Sequence, residues 1–167
     1  TFDGWTVTNG PGIEVQNGFV AGATAHHGDQ KVELDSHGGE DTNSTMEQTV
    51  TLAKGSYEFS FAYLGRTGDV NTNGIGYSLS PGVLGISSVT GVSAAGWTLV
   101  THMFHLTEET DVTMAFWAKG IDDTLGGFVD SVRISAVPLP PAVMLFGAAL
   151  AGLGWLGRRR KGSSFTS

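Results

Sequence analysis

Apolar and polar positions alternate along most of the chain. Met46, Gln48, Val50 and Leu52 alternate with Glu47, Thr49 and Thr51, and Tyr57, Phe59, Phe61 and Tyr63 alternate with Glu58, Ser60 and Ala62. The same period runs through Val112, Met114 and Phe116, and through Phe128, Asp130, Val132 and Ile134. Successive strand side chains leave opposite faces, so a period of two marks half-buried strands. Turn chemistry bounds each run: Ala53-Lys54-Gly55, Asn71 to Gly74, Glu108 to Asp111, and Gly120 to Gly127. This pattern predicts an all-β fold, an antiparallel β-sandwich. Strands are expected near 4–8, 12–16, 18–22, 30–35, 44–52, 56–64, 74–79, 97–106, 111–118 and 127–135.

The pattern changes at residue 137. A Pro-rich hinge (137–141) leads into a run without polar residues from Ala142 to Gly157, followed by Arg158, Arg159, Arg160 and Lys161 and a short tail (162–167). As a helix the apolar run spans ~24 Å, a little short of the ~30 Å hydrocarbon core, and Pro140 and Pro141 lengthen it if they occupy the first turn. Basic residues beside a span are retained in the cytoplasm. The expectation is therefore a transmembrane helix with a basic stop over 142–161, meeting the membrane through 142–157, with residues 1–136 outside the cytoplasm. A buried C-terminal helix of a soluble core is the alternative, but such a helix keeps a polar stripe and this one has none.

Val137-Pro138-Leu139-Pro140, the stretch MLFGAALAGLGWLG and the RRRK cluster together resemble a PEP-CTERM sorting signal. That signal is the C-terminal tripartite tag of exported proteins in many Gram-negative bacteria with exopolysaccharide matrices. Leu139 stands where the usual motif has Glu. The resemblance implies export to the outer surface or extracellular matrix, at least transient anchoring in the membrane, and an exosortase as processing partner. A tag of this kind is an address and says nothing about the cargo's activity.

The cargo, residues 1–136, has the length of one domain. It contains no cysteine, so core packing or a metal must hold it. Thr1-Phe2-Asp3-Gly4 is not a signal sequence, and the chain reads as already trimmed there. The whole chain carries −7; without the basic cluster, five Lys and Arg face sixteen Asp and Glu, near −11. So acidic a domain argues against nucleic acid and favours cations or neutral sugars.

Several segments match one architecture in order: Gly4-Trp5-Thr6-Val7, Gly12-Ile13-Glu14-Val15, Gly28 to Ser36 (GDQKVELDS), Gln48 to Tyr57, Phe61-Ala62-Tyr63, Trp97 to Phe104, and Gly127 to Val132. They resemble the galactose-binding-like jelly roll of many carbohydrate-binding modules. The resemblance covers most of 4–135 and implies a polysaccharide partner, such as an exopolysaccharide matrix. Relatives begin one strand earlier, before the Gly-Trp. That strand is absent here, which leaves a sheet edge for homo-oligomerisation by strand addition, as in a structural subunit of a filament.

Chemistry-bearing residues fall into three groups. Asp130 shares the alternation of Phe128, Val132 and Ile134 and is expected to point inward. In the resembled jelly rolls the matching acid ligates a structural calcium, and that role carries to Asp130; a carboxylate satisfied by backbone N–H groups is the other reading. Glu33 and Asp35 leave one face of a strand opposite Val32 and Leu34. They are candidate ligand-binding acids; paired glycosidase acids are the sharp reading and an acidic solvent face the commoner one. Arg66 and Asn73 flank a polar loop, and Trp117 is the aromatic expected to be exposed, a set suited to hydroxyl-rich ligands. Trp5 and Trp97 are expected in the core. No catalytic residue is assigned, and a non-catalytic binding protein is favoured over a glycan-acting enzyme.

Overall fold

The computed structural model describes residues 4–35 and 41–138. Ten strands follow one another: β1 (Thr6–Asn9), β2 (Glu14–Asn17), β3 (Gln30–Glu33), β4 (Thr45–Leu52), β5 (Gly55–Leu64), β6 (Gly74–Ser80), β7 (Leu84–Val89), β8 (Thr98–Leu106), β9 (Thr110–Lys119) and β10 (Phe128–Ala136). The helical content among the described residues is a single 3₁₀ turn, Ser93–Ala95. The expected membrane helix and its basic cluster lie outside the described residues; among those described, no helix is long and apolar enough to cross a membrane.

The strands form two five-stranded antiparallel sheets. The first has the order β1-β4-β9-β6-β7 and the second β2-β3-β10-β5-β8. Consecutive strands often fall in different sheets, as two packed Greek keys require. Between the sheets, Phe59 and Phe61 of β5 meet Tyr77 of β6 and Phe116 of β9, with Phe61–Phe116 centroids 5.0 Å apart at 84° and Phe61–Tyr77 at 4.8 Å and 68°. Such edge-to-face pairs add about 0.5–1.5 kcal/mol each beyond the area they bury. Leu34, Met46, Ile75, Leu79 and Val112 complete this core, each at most 2% exposed. Packing of this kind holds a cysteine-free sandwich.

Two strand assignments differ from the sequence pattern. Residues 18–22 form no strand: Gly18, Ala21 and Gly22 all have positive φ (67°, 53° and 79°), which breaks an extended run. A Val20–Ala23 bridge closes the segment into a turn instead. Conversely, β7 reads LGISSV, where apolar alternation extends only over Leu84 and Ile86 before Ser87-Ser88 breaks it. It forms as an edge strand on β6 with an irregular register between Tyr77 and Leu79.

Candidate functional site

Glu33 and Asp35 do not form an acidic solvent face. Lys31, Glu33 and Asp35 leave the side of β3 opposite Val32 and Leu34, as their spacing requires, yet all three are at most 1% exposed. Loops fold over that outer side of the second sheet. Glu33 accepts hydrogen bonds from Arg66 Nη1 at 2.5 Å, Gln16 Nε2 at 2.8 Å and the Gly126 amide at 3.0 Å. Burial pushes its pKa up to about 7, against the opposing pull of Arg66. Asp35 accepts from the Thr42 hydroxyl and from the amides of Asp123 at 3.3 Å and Leu125 at 3.2 Å. Gly126 is required there: a Cβ would stand 2.7 Å from that of Asp35. Arg66 also donates to the Thr124 carbonyl at 2.8 Å. The structure thus gathers Glu33, Asp35 and Arg66 around the 121–127 loop, where they clamp it to β3.

Asn73 is fully buried. Its amide nitrogen donates to the Thr67 and Gly91 carbonyls at 2.9 and 2.8 Å, and its oxygen accepts from the Thr67 amide at 3.1 Å. The side chain closes its own loop and ties it to the segment after β7 at Gly91.

Asp130 does not join Val132 and Ile134 in the core. The register of β10 against β5 shifts between Asp130 and Arg133, and Ser131 takes φ 52°. This bulge turns Val129, Val132 and Ile134 inward and leaves Phe128 and Asp130 on the outer side, paired with Leu64 and Ala62. There the carboxylate accepts from the amides of His26 (2.7 Å), His27 (3.2 Å) and Ser131 (2.5 Å). Backbone donors fill both oxygens, and among the described residues no cluster of three acidic, His or Cys groups could hold a metal. The Asp130 partners His26 and His27 belong to a strap, residues 18–28, that crosses the second sheet. Lys31 Nζ holds the strap at the Val20 and Ala23 carbonyls (3.1 and 3.0 Å), while burial lowers the Lys31 pKa against the pull of Glu33. Trp97, expected in the core, instead donates its indole N–H to Thr24 at 3.2 Å and meets the His26 ring at 5.7 Å.

Trp117 stands alone on the opposite side of the molecule. Phe116 and Ala118 enter the core, so Trp117 projects from the outer face of the first sheet, half-buried. Register places Thr45, Trp117, Gly76 and Ser88 in one row across β4, β9, β6 and β7. A Cβ on Gly76 would lie 2.0 Å from Trp117 Cε2 and 2.2 Å from Nε1, so the indole lies across this glycine. The neighbouring outward positions are Glu47, Ala115 and Ser78, then Thr49, Thr113 and Ser80. Lys119 Nζ bonds Ser88 Oγ at 3.3 Å at one end of the row. The result is a face of mostly short side chains, many of them hydroxyls, around one aromatic ring, with Glu47 and Lys119 as its charged members, about 14 Å across the four strands at ~4.8 Å per step. The polar partners Thr45, Ser78, Ser88 and Lys119 had no motif to announce them. Their signal is the small-residue alternation Gly74-Gly76-Ser78-Ser80, which leaves one face of β6 low.

No protein-family model and no curated protein matches this chain. Solved structures do. TmCBM61, determined in complex with β-1,4-galactotriose, superposes with a TM-score of 0.58 at 18% identity, over 81% of this chain and 90% of its own. A family 16 carbohydrate-binding module gives 0.55 at 15% identity over 80% and 91% of the two chains. The CBM22-1 xylan-binding domain of Xyn10C from Paenibacillus barcinonensis gives 0.53 at 12% over 84% and 90%. Identities this low speak for the fold, an all-β jelly roll of the kind found in carbohydrate-binding modules.

Proposed function

We propose that residues 1–136 form a non-catalytic module that binds a neutral polysaccharide on the outer face of the first sheet. The observation that carries this reading is the Trp117 ring laid across Gly76. An aromatic plane seated on a glycine floor, with hydroxyls on both sides, offers the apolar face of a pyranose a stacking surface and its hydroxyl groups nearby partners. The jelly-roll neighbours include proteins described with β-1,4-galactotriose and as xylan-binding. Charge narrows the class: with a domain charge near −11, a polyanionic glycan would be repelled.

The C-terminal segment then serves as an address. Val137 to Pro140 with Arg158, Arg159 and Arg160 directs an exosortase-type enzyme to the chain, the apolar run holds it at the membrane, and the module works at the cell surface or in the surrounding matrix. Retention of the protein on immobilised galactan, xylan or the producing cell's own exopolysaccharide, with no reducing sugar released, is the expected result. Absence of retention on every one of these polymers refutes the reading.

A further inference from the structure

A cavity of about 300 Å³ opens between the two sheets, on the inner side of the sheet whose outer face carries Trp117. Its origin is the bulge in β10. Strands β3 and β10 pair only at Phe128–Glu33 and Val129–Val32, and beyond these residues the second sheet parts. Val32, Val129 and Val132 line one wall of the opening, with Trp5 and Met46 of the other sheet opposite. Trp5 is fixed edge-on against Phe116, with centroids 5.7 Å apart at 60°. Gln30, Lys31, Asp130 and Ser131 are its polar lining, with Asp130 and Ser131 already bonded to His26 of the strap, which leaves Gln30 as the rim group open to a ligand.

From this geometry we infer a second binding site, which takes a single pyranose ring: the end of a glycan chain rather than its middle. The volume lies at the bottom of the ~300–1,000 Å³ range of small-molecule clefts, so one ring fits and a chain does not. Apolar walls with an indole among them suit the C–H face of a sugar, while the Gln30 amide on the rim suits its hydroxyl groups. A chain threading along Trp117 meets none of these residues, because Trp5 and Met46 face the inside of the sheet whose outside carries Trp117. The inference rests on the glycan-binding reading and deepens it: the module grips chain ends in the cavity and chain interiors on the Trp117 face.

The test is an NMR titration of the domain with methyl β-D-galactopyranoside, methyl β-D-glucopyranoside and methyl β-D-xylopyranoside, following the Trp indole and Gln side-chain signals. Expected is a saturable shift of Trp5 and Gln30 with at least one glycoside, abolished in Val132→Phe, which fills the cavity, and weakened at least tenfold in Gln30→Ala, a rim change that leaves the core intact. Both variants should still bind polysaccharide on the Trp117 face. Shifts confined to Trp117, or no saturable shift with any of the three glycosides, overturn the cavity site. If polymer retention persists in that case, the Trp117-face reading stands; if retention also fails, both fall.

Discussion

The guanidinium of Arg66 lies 2.5 Å from the carboxylate of Glu33, and the two join a loop after β5 to a strand that is distant in sequence. Glu33 is fully buried and Arg66 nearly so, with 15% of its side chain exposed. Removing one partner of such a pair strands the other's charge, a loss of about 3–5 kcal/mol when both are buried. Arg66→Met should therefore lower stability by roughly 3 kcal/mol at pH 8, measured by urea unfolding, and by much less at pH 5, where Glu33 is neutral. An equal loss at both pH values would contradict this assignment.

The pH dependence of the wild-type domain has a defined sign. Folding raises the Glu33 pKa from 4.5 to about 7. A carboxyl with a raised folded pKa stabilises fully below its unfolded pKa, and this contribution is lost as pH rises through the folded value. The melting temperature should fall between pH 5 and pH 8 by the equivalent of about 3 kcal/mol, at 1.36 kcal/mol per unit. Asp122, held low by the Thr42 hydroxyl, shapes only the acid limb below this window. Glu33→Gln should flatten the profile over the same range, as differential scanning calorimetry would show.

Asp130→Asn should loosen the strap. The native carboxylate accepts the amides of His26, His27 and Ser131. An amide side chain supplies one acceptor oxygen in place of two. Hydrogen exchange at the His26 and His27 amides should accelerate by roughly tenfold to a hundredfold, in line with about 1.5–3 kcal/mol for bonds to a charged group. Unchanged protection would mean that Lys31 and Trp97 hold the strap without Asp130.

Much of the fold was legible because alternation is a direct print of strand geometry. Phe59, Phe61 and Phe116 alternate and are core residues for that reason. Where glycine or serine replaces alternation, as in β7, the sequence is silent, and where positive φ interrupts an apolar run, as at Ala21, it misleads. Asp130 was placed on the wrong side because a bulge adds a residue and reverses every face beyond it. Glu33 and Asp35 were placed on their proper side of β3, but spacing within a strand cannot show that the 121–127 loop covers that side. Of the site candidates, Trp117 needed only strand parity to be placed outside. Its floor needed the register that sets Gly76 beside it, and no local motif carries that information.

Gly76→Ala should separate platform from fold. A Cβ there would stand 2.0 Å from the Trp117 ring, so the indole must rotate away while β6 keeps its hydrogen bonds. The expected outcome is a change in Trp fluorescence, at least tenfold weaker glycan binding, and a stability change near or below ~1 kcal/mol, since glycine is itself unfavourable within strands. Binding that survives unchanged would show that the seat of the ring is immaterial.

The most direct measurement is the affinity of the wild-type domain and of Trp117→Ala for soluble galactan and xylan, by isothermal titration at pH 7 and moderate salt. Trp117 projects from the outer face and fills no core space, so the variant should melt within a few degrees of wild type. The account predicts a loss of binding of at least tenfold, or 1.4 kcal/mol, for at least one polymer. Equal affinity of the two proteins for every polymer bound would contradict it.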